Sequence, residues 1–329
     1  MLPLIKYISW IAILLSSTAA LATVQSLEGS QPLEGTQPEG NFQPLNSFGD
    51  NPGELTASYL QPSKRAKSLV VLLHGCVQNG EILAEQSGFV ALAKQHNFIL
   101  LLPQQSQNNN VKSCFNWFSE QDSAQDQGEV LSIKNMISAV KTQASIEQVY
   151  IAGLSAGGAM TSALLTHYPE LFSAGAVIAG LPYPCANDLA KAISCMRNGP
   201  SQSATEFVKL AKKGNETVNK WPRLIVITGS NDKVVNPKNS SRLAVQWSKL
   251  AGTSLIKSKI SAADYQLTLW QDNEHQPQVK LVEINDIGHG LTVNSALEDR
   301  DTSAPFLFES SHDSALDIVE FWGFKWKTQ

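Results

Sequence analysis

Six short, mainly apolar runs constrain this chain more than any other feature: SLVVLL (68–73), NFILLL (97–102), QVYIAG (148–153), AGAVIAG (174–180), RLIVITG (223–229) and VKLVEI (279–284), the last interrupted by Lys280 and Glu283. Runs of this length without polar alternation are strands buried on both faces, which belong to sheets covered by helices on either side. Segments of helical spacing lie between them. Glu81 to Gln95, Gly128 to Thr142 and Ala156 to His167 carry apolar residues every three or four positions, and Asp313 to Phe324 closes the chain the same way. Strands alternating with helices predict an α/β fold with a mostly parallel central sheet. The stretch from about Pro182 to Lys220 breaks the alternation and is expected to form an inserted cap over the sheet. In such sheets, functional groups sit on loops beyond the carboxyl ends of the strands.

Charge excludes one class of partner. With 25 Lys+Arg against 29 Asp+Glu, and no basic cluster, the chain lacks the cationic footprint that nucleic acid requires. Residues 1–22 (MLPLIKYISWIAILLSSTAALA) have a positive start at Lys6, an apolar stretch from Ile8 to Leu15 and a small-residue cleavage site at Ala20-Leu21-Ala22. That pattern predicts a signal peptide and an exported protein. Ser16, Ser17 and Thr18 cut the apolar run too short for a membrane anchor, so the mature protein is expected to have no stable span. Residues 23–45 hold an imperfect repeat (LEGSQP, LEGTQP, EGNFQP) with almost nothing to bury, and read as a flexible tether before a single catalytic domain at 46–329.

The four cysteines fit export, where disulfides persist. Cys185 and Cys195 close a short loop and are expected to pair, leaving Cys76 with Cys114. Zinc is the rival reading, but no CxxC or His/Cys spacing supports it.

The sharpest chemical signal is Gly153-Leu154-Ser155-Ala156-Gly157, between a predicted strand and a predicted helix. This is the setting of a nucleophile elbow, in which small neighbours allow a tight turn that presents the serine hydroxyl at the sheet edge. A serine hydroxyl needs a base to take its proton, and the base needs an orienting carboxylate. Of six histidines, His289 follows the last apolar strand, where a loop can reach back over the sheet edge. His74 is better placed to hold its own loop, His96 ends a helix, and His167 lies too far down the elbow helix. His275 and His312 sit in polar surroundings and are expected to be solvated. The acid expected between serine and histidine in chain order is Asp232, just beyond RLIVITG, with turn capping as its alternative role. The oxyanion hole is expected to use the N–H groups of Ala156 and of Cys76, in the loop after the first strand. Trp117, beside Cys114, is either a wall of the acyl pocket or a core aromatic.

The combination of motifs resembles a family. LLHGCVQ (72–78), SCFNWF (113–118), QGEVLSI (127–133), GLSAGGAM (153–160), AGLPYPCA (179–186), TGSNDKVVNP (228–237) and GHG (288–290) are similar, in order and content, to secreted esterases of the polyhydroxybutyrate depolymerase type, related to feruloyl and acetylxylan esterases. The likeness starts with FGDNPGEL (48–55) and runs to the end of the chain. It implies an α/β-hydrolase, a serine carboxylic-ester hydrolase working through an acyl-enzyme with no metal or organic cofactor. It gives Ser155, Asp232 and His289 the triad roles, and the four cysteines match positions the family uses for disulfides. The implied substrate is an ester: a hydroxyalkanoate polyester or oligomer, with feruloyl or acetylated polysaccharide as the alternative. One departure is visible, because these esterases often carry an aromatic after the histidine where this chain has Gly290-Leu291. The rivals are a peptidase of the same fold and an inert binding protein on a hydrolase scaffold.

Overall fold

The computed structural model describes residues 41–63, 65–252, 256–297 and 303–325, and each of the six apolar runs forms a strand in it. In chain order the first half contains β1 (Gln43–Pro44), β2 (Thr56–Leu60), β3 (Ser68–Leu73), α1 (Gly80–Gln86), α2 (Phe89–His96), β4 (Phe98–Gln104), α3 (Glu120–Ser123), α4 (Gly128–Ala144), β5 (Gln148–Leu154) and α5 (Ala156–His167). The second half contains β6 (Ala174–Ile178), α6 (Leu189–Asn198), α7 (Ala204–Lys212), β7 (Arg223–Gly229), α8 (Lys238–Ala251), β8 (Ile256–Ser261), β9 (Tyr265–Gln271), β10 (Pro277–Ile284), β11 (Leu291–Val293), β12 (Leu307–Glu309) and α9 (Ser314–Trp322).

The main sheet has the order β1-β2-β4-β3-β5-β6-β7-β10-β9-β8. Its centre, β4-β3-β5-β6-β7-β10, is entirely parallel, while β2 and the β8–β9 hairpin extend the two sides antiparallel. Alternate residues of each central strand feed two apolar layers. Leu69, Val71 and Leu73 of β3 join one layer with Ile133 and Ile137 of α4, Met160 of α5 and Trp247 of α8. Val70 and Leu72 join the other, with Leu83 of α1, Phe89 of α2 and Ile318 of α9. Both faces of the strands are therefore dry. A polar residue at Val70 or Val71 would forfeit roughly 1.5–3 kcal/mol of burial, which is why β3 carries no polar alternation; β10 carries Lys280 and Glu283 at positions that are only partly buried.

Two expectations change in detail. The helix predicted over 81–95 is two helices, because Gly88 takes a left-handed conformation (φ 85°) that ends α1 and starts α2 at a new angle. The signal peptide and most of the tether, residues 1–40, lie outside the described residues. The tether does not extend to 45, since Gln43 and Pro44 pair with Tyr59 and Ser58 of β2 and Leu45 is buried. Between β6 and β7 the inserted stretch forms α6 and α7, started by Asp188 and by a Ser203/Glu206 capping box. It is anchored on α8 and α5, and Phe207 and Ala211 of α7 join the apolar layer those helices share. Asn239 at the start of α8 donates to Cys195 O (2.9 Å), Asn236 N–H to Met196 O (2.7 Å), and Asn215 to Thr166 O at the end of α5 (2.9 Å). Among the described residues, no helix is long and apolar enough to cross a membrane.

Candidate active site

Ser155 stands between β5 and α5 with φ 56° and ψ −116°, a left-handed conformation that costs a non-glycine residue about 1–3 kcal/mol. The flanking glycines make the turn possible by close approach. A Cβ on Gly153 would lie 2.3 Å from Gly157 O, and one on Gly157 would lie 2.4 Å from Leu73 O at the end of β3. Only hydrogen fits at either position, so the start of α5 can press against the ends of β5 and β3. The Ser155 N–H is held by Ile178 O (2.9 Å), and the positive end of the α5 dipole lies at the hydroxyl.

Loops from three strands converge on this serine. The loop after β7 carries Asp232, buried, whose Oδ1 accepts from the Val234 and Val235 N–H groups (2.8 Å each). Its other oxygen, Oδ2, accepts from His289 Nδ1 at 2.7 Å, so the carboxylate caps its turn and holds the imidazole at once. The loop after β10 carries His289, whose Nε2 accepts from Ser155 Oγ at 2.8 Å. With Asp232 accepting at Nδ1, the ring proton sits there and Nε2 is free to receive the serine proton. Phe306, just before β12, meets the His289 ring edge-on at 5.8 Å between centroids. Residues of the sequence-predicted set that are far apart in the chain are thus brought into one hydrogen-bonded line.

The loop after β3 supplies the other side. A Cβ built on Gly75 would lie 3.4 Å from Ser155 Cβ, which puts the Gly75–Cys76 peptide next to the nucleophile. Among the described residues, no hydrogen bond from the Cys76 or Ala156 amide to a protein acceptor is formed. Cys76 is bridged to Cys114, and Cys185 to Cys195. Trp117 is buried in the core layer with Phe115 and packs edge-on against Phe118, which is the core placement of its two alternatives.

The remaining histidines divide. His74 is fully buried and neutral, its pKa pushed down to about 4 by burial against the opposing pull of its bond to Gly75 O. His167 bonds Ser123 O at the end of α5, and His275 is exposed. His312 is not solvated. It is buried between Asp317 Oδ2 (3.0 Å) and Thr292 Oγ1 (3.3 Å), in a network that Lys280 completes through Asp317. Burial alone would raise Asp317, but His312 and Lys280 hold its carboxyl below the usual carboxylate range. This network pins α9 to β10 and β11; Asp317 follows His312 by five residues, but Thr292 and Lys280 lie on strands too distant in sequence to be read beside it. Among the described residues no group of three or more His, Cys, Asp or Glu side chains could hold a metal ion.

Residues 56–263 match the family model described as esterase PHB depolymerase. The chain belongs to the PHB depolymerase esterase family. Poly(3-hydroxyalkanoate) depolymerase C of Paucimonas lemoignei is 33% identical over 85% of this esterase and 69% of its own length. Feruloyl esterase B of Talaromyces funiculosus is 28% identical over 64% of the esterase and 62% of its own length. Acetylxylan esterase A of Aspergillus oryzae is 22% identical over 76% and 84%. Among solved structures, an acetyl xylan esterase from Aspergillus awamori superposes with a TM-score of 0.71 at 21% identity, covering 87% of the esterase and all of that chain. That likeness establishes the α/β-hydrolase fold.

Two placements escape a reading of the sequence. Phe306 comes from a segment with no motif of its own. Glu129, within QGEVLSI, is fully buried against Asn116 and Gln105, and its only signal is that motif.

Proposed function

We propose that the esterase is an exported serine hydrolase that cleaves carboxylic esters through an acyl-enzyme on Ser155, with hydroxyalkanoate oligomers or polyesters as its substrate class. The observation that carries this reading is the continuous line Ser155 Oγ–His289–Asp232, at 2.8 and 2.7 Å. His289 takes the Ser155 proton as Oγ attacks the ester carbonyl, and Asp232 stabilises the imidazolium that forms. The carbonyl oxygen becomes an oxyanion facing the Cys76 and Ala156 N–H groups, each such donor contributing about 2.7–4 kcal/mol in the transition state. His289 passes the proton to the leaving alcohol, which departs as the acyl–Oγ bond persists. Water, deprotonated by His289, then attacks the acyl carbonyl, the acid is released and Ser155 regains its proton. Every proton and electron pair is accounted for by these groups, so the chemistry calls for no metal or organic cofactor.

The substrate class is supported by the depolymerase relative, which is more similar and aligned over more of the chain than the feruloyl and acetylxylan relatives quoted. Export is supported by residues 1–22 and by the two disulfides.

The test is hydrolysis of a 3-hydroxybutyrate oligomer, methyl ferulate, an acetylated xylo-oligosaccharide and p-nitrophenyl esters by the wild type and Ser155→Ala. The reading expects serine-dependent turnover with the highest kcat/KM on the oligomer. Preference for ferulate or acetylated sugar would overturn the substrate class, and turnover unchanged in Ser155→Ala would overturn the mechanism.

A further inference from the structure

Glu129 has no part in this chemistry, yet it is a carboxyl side chain with no exposed surface. None of its three hydrogen bonds comes from a cation. Burial pushes its pKa up to about 8, Asp122 adds to the rise, and donors from Asn116 and Gln105 hold it back. A buried carboxyl is costly unless its partners satisfy it, so those partners show what it organises. They lead by two routes to the same peptide.

The first route runs through Asn116. Its N–H donates to Glu129 Oε2 and its Nδ2 to Oε1, both at 2.8 Å. Asn116 Oδ1 accepts from Asn110 Nδ2 (2.8 Å), and Asn110 Oδ1 accepts from the Lys112 and Cys114 amides (3.0 and 3.3 Å). Cys114 is joined covalently to Cys76, and Lys112 O accepts from Val77 N–H (2.7 Å). The second route runs through Gln105, whose Nε2 donates to Glu129 Oε1 (2.5 Å) and whose N–H donates to His74 Nε2 (3.1 Å). With Nε2 accepting, neutral His74 carries its proton on Nδ1 and donates it to Gly75 O (2.7 Å). Gly75 C=O and Cys76 N–H are opposite ends of one planar peptide. Fixing the carbonyl fixes the direction of the amide.

We infer that Glu129 is a positioning residue of the oxyanion hole, holding the Cys76 N–H in its donor orientation from both sides of that peptide. The inference rests on the assignment of Cys76 as an oxyanion donor. All three groups that reach Glu129 are donors, so an amide of the same size would turn an NH2 group against at least one of them.

The experiment compares Glu129→Gln and Asn116→Ala with the wild type and Ser155→Ala. It reads kcat and KM on p-nitrophenyl butyrate, inhibition by an alkyl boronic acid that forms a tetrahedral adduct on serine, and near-UV circular dichroism. Losing one oxyanion donor costs roughly 100- to 1000-fold, and misaligning one should cost part of that. The expected result is a roughly 10- to 100-fold lower kcat in both variants, KM within about threefold, and boronic-acid affinity weakened in parallel. A folded Glu129→Gln with kcat within twofold of wild type overturns the inference, as does a kcat loss with boronic-acid affinity unchanged. If Glu129→Gln does not fold, Asn116→Ala decides by the same criteria. Absence of Ser155-dependent turnover in the wild type would instead overturn the active-site assignment itself, and the inference with it.

Discussion

Asp232→Asn separates the two tasks of one carboxylate, and the structure dictates which way the amide must turn. Oδ1 accepts from two backbone amides, Val234 and Val235, while Oδ2 accepts from His289 Nδ1. In the variant the amide oxygen stays beneath the two backbone donors. The reverse orientation would set NH2 against both, each unsatisfied donor costing roughly 1–3 kcal/mol. The amide NH2 therefore faces His289 Nδ1, which must accept. The ring proton moves to Nε2 and points at Ser155 Oγ, so His289 cannot take the serine proton. The expected loss in kcat is about 10⁴-fold, or about 5.4 kcal/mol of activation free energy, with KM little changed. Asp232→Ala does not impose the wrong tautomer but leaves both backbone donors without their acceptor. It should be the less stable of the two, by roughly 2 kcal/mol or more. Steady-state kinetics on p-nitrophenyl butyrate and urea unfolding measure both effects. Asp232→Asn retaining more than a tenth of wild-type kcat would refute the reasoning.

Four further outcomes are expected. Replacing Cys76 and Cys114 together by Ser should lower stability by about 4 kcal/mol on the loop-entropy model for a 38-residue separation, and lower kcat through the oxyanion loop. The same change at Cys185 and Cys195, 10 residues apart, should cost about 3 kcal/mol in urea unfolding with kcat nearly unchanged. Ser155→Gly should be more stable than Ser155→Ala by about 1 kcal/mol, because glycine adopts φ 56° without strain; equal midpoints would show that the elbow stores none. Glu129 and His74 give opposite pH dependences. Glu129, raised from 4.5 to about 8, loses its proton more readily when unfolded, so it lowers stability as pH rises through that window. His74, lowered from 6.5 to about 4, makes the protein lose stability as pH falls through its own. The two slopes oppose each other from about pH 4.5 to 6.5, and above that Glu129 acts alone. Urea unfolding should therefore show wild-type stability falling between pH 6.5 and 8, with the fall much reduced in Glu129→Gln; parallel curves would contradict this.

The centre of the fold is legible in the sequence because its strands are dry on both faces, so their composition alone marks them. The edges are not. β9 alternates partly buried and buried residues, and β8 lies outside it, so neither gives a continuous apolar run. Helix α8 begins with the polar turn Lys238-Asn239-Ser240-Ser241, and its apolar stripe of Leu243, Ala244, Trp247 and Leu250 starts only afterwards. The break at Gly88 depends on a backbone angle, which spacing does not report. At the site, Ser155 is marked by its own strand–turn–helix context, and Asp232 and His289 by their places after strand ends. Glu129 is hidden for the opposite reason. A glutamate in the first turn of a helix is ordinarily a solvated partner of the helix dipole. Only the folded arrangement of Asn116 and Gln105 around it shows that it faces inward. His312 misleads similarly, because Thr292 and Lys280 lie on strands far from it in sequence.

The measurement that tests the central claim most directly is intact-protein and peptide mass spectrometry after labelling with an alkyl fluorophosphonate, run on the wild type and on Ser155→Ala. The account predicts one adduct, on the peptide containing Ser155, formed in step with loss of ester turnover and absent from the variant. A label on another residue, or full inhibition of hydrolysis with Ser155 unmodified, would contradict it.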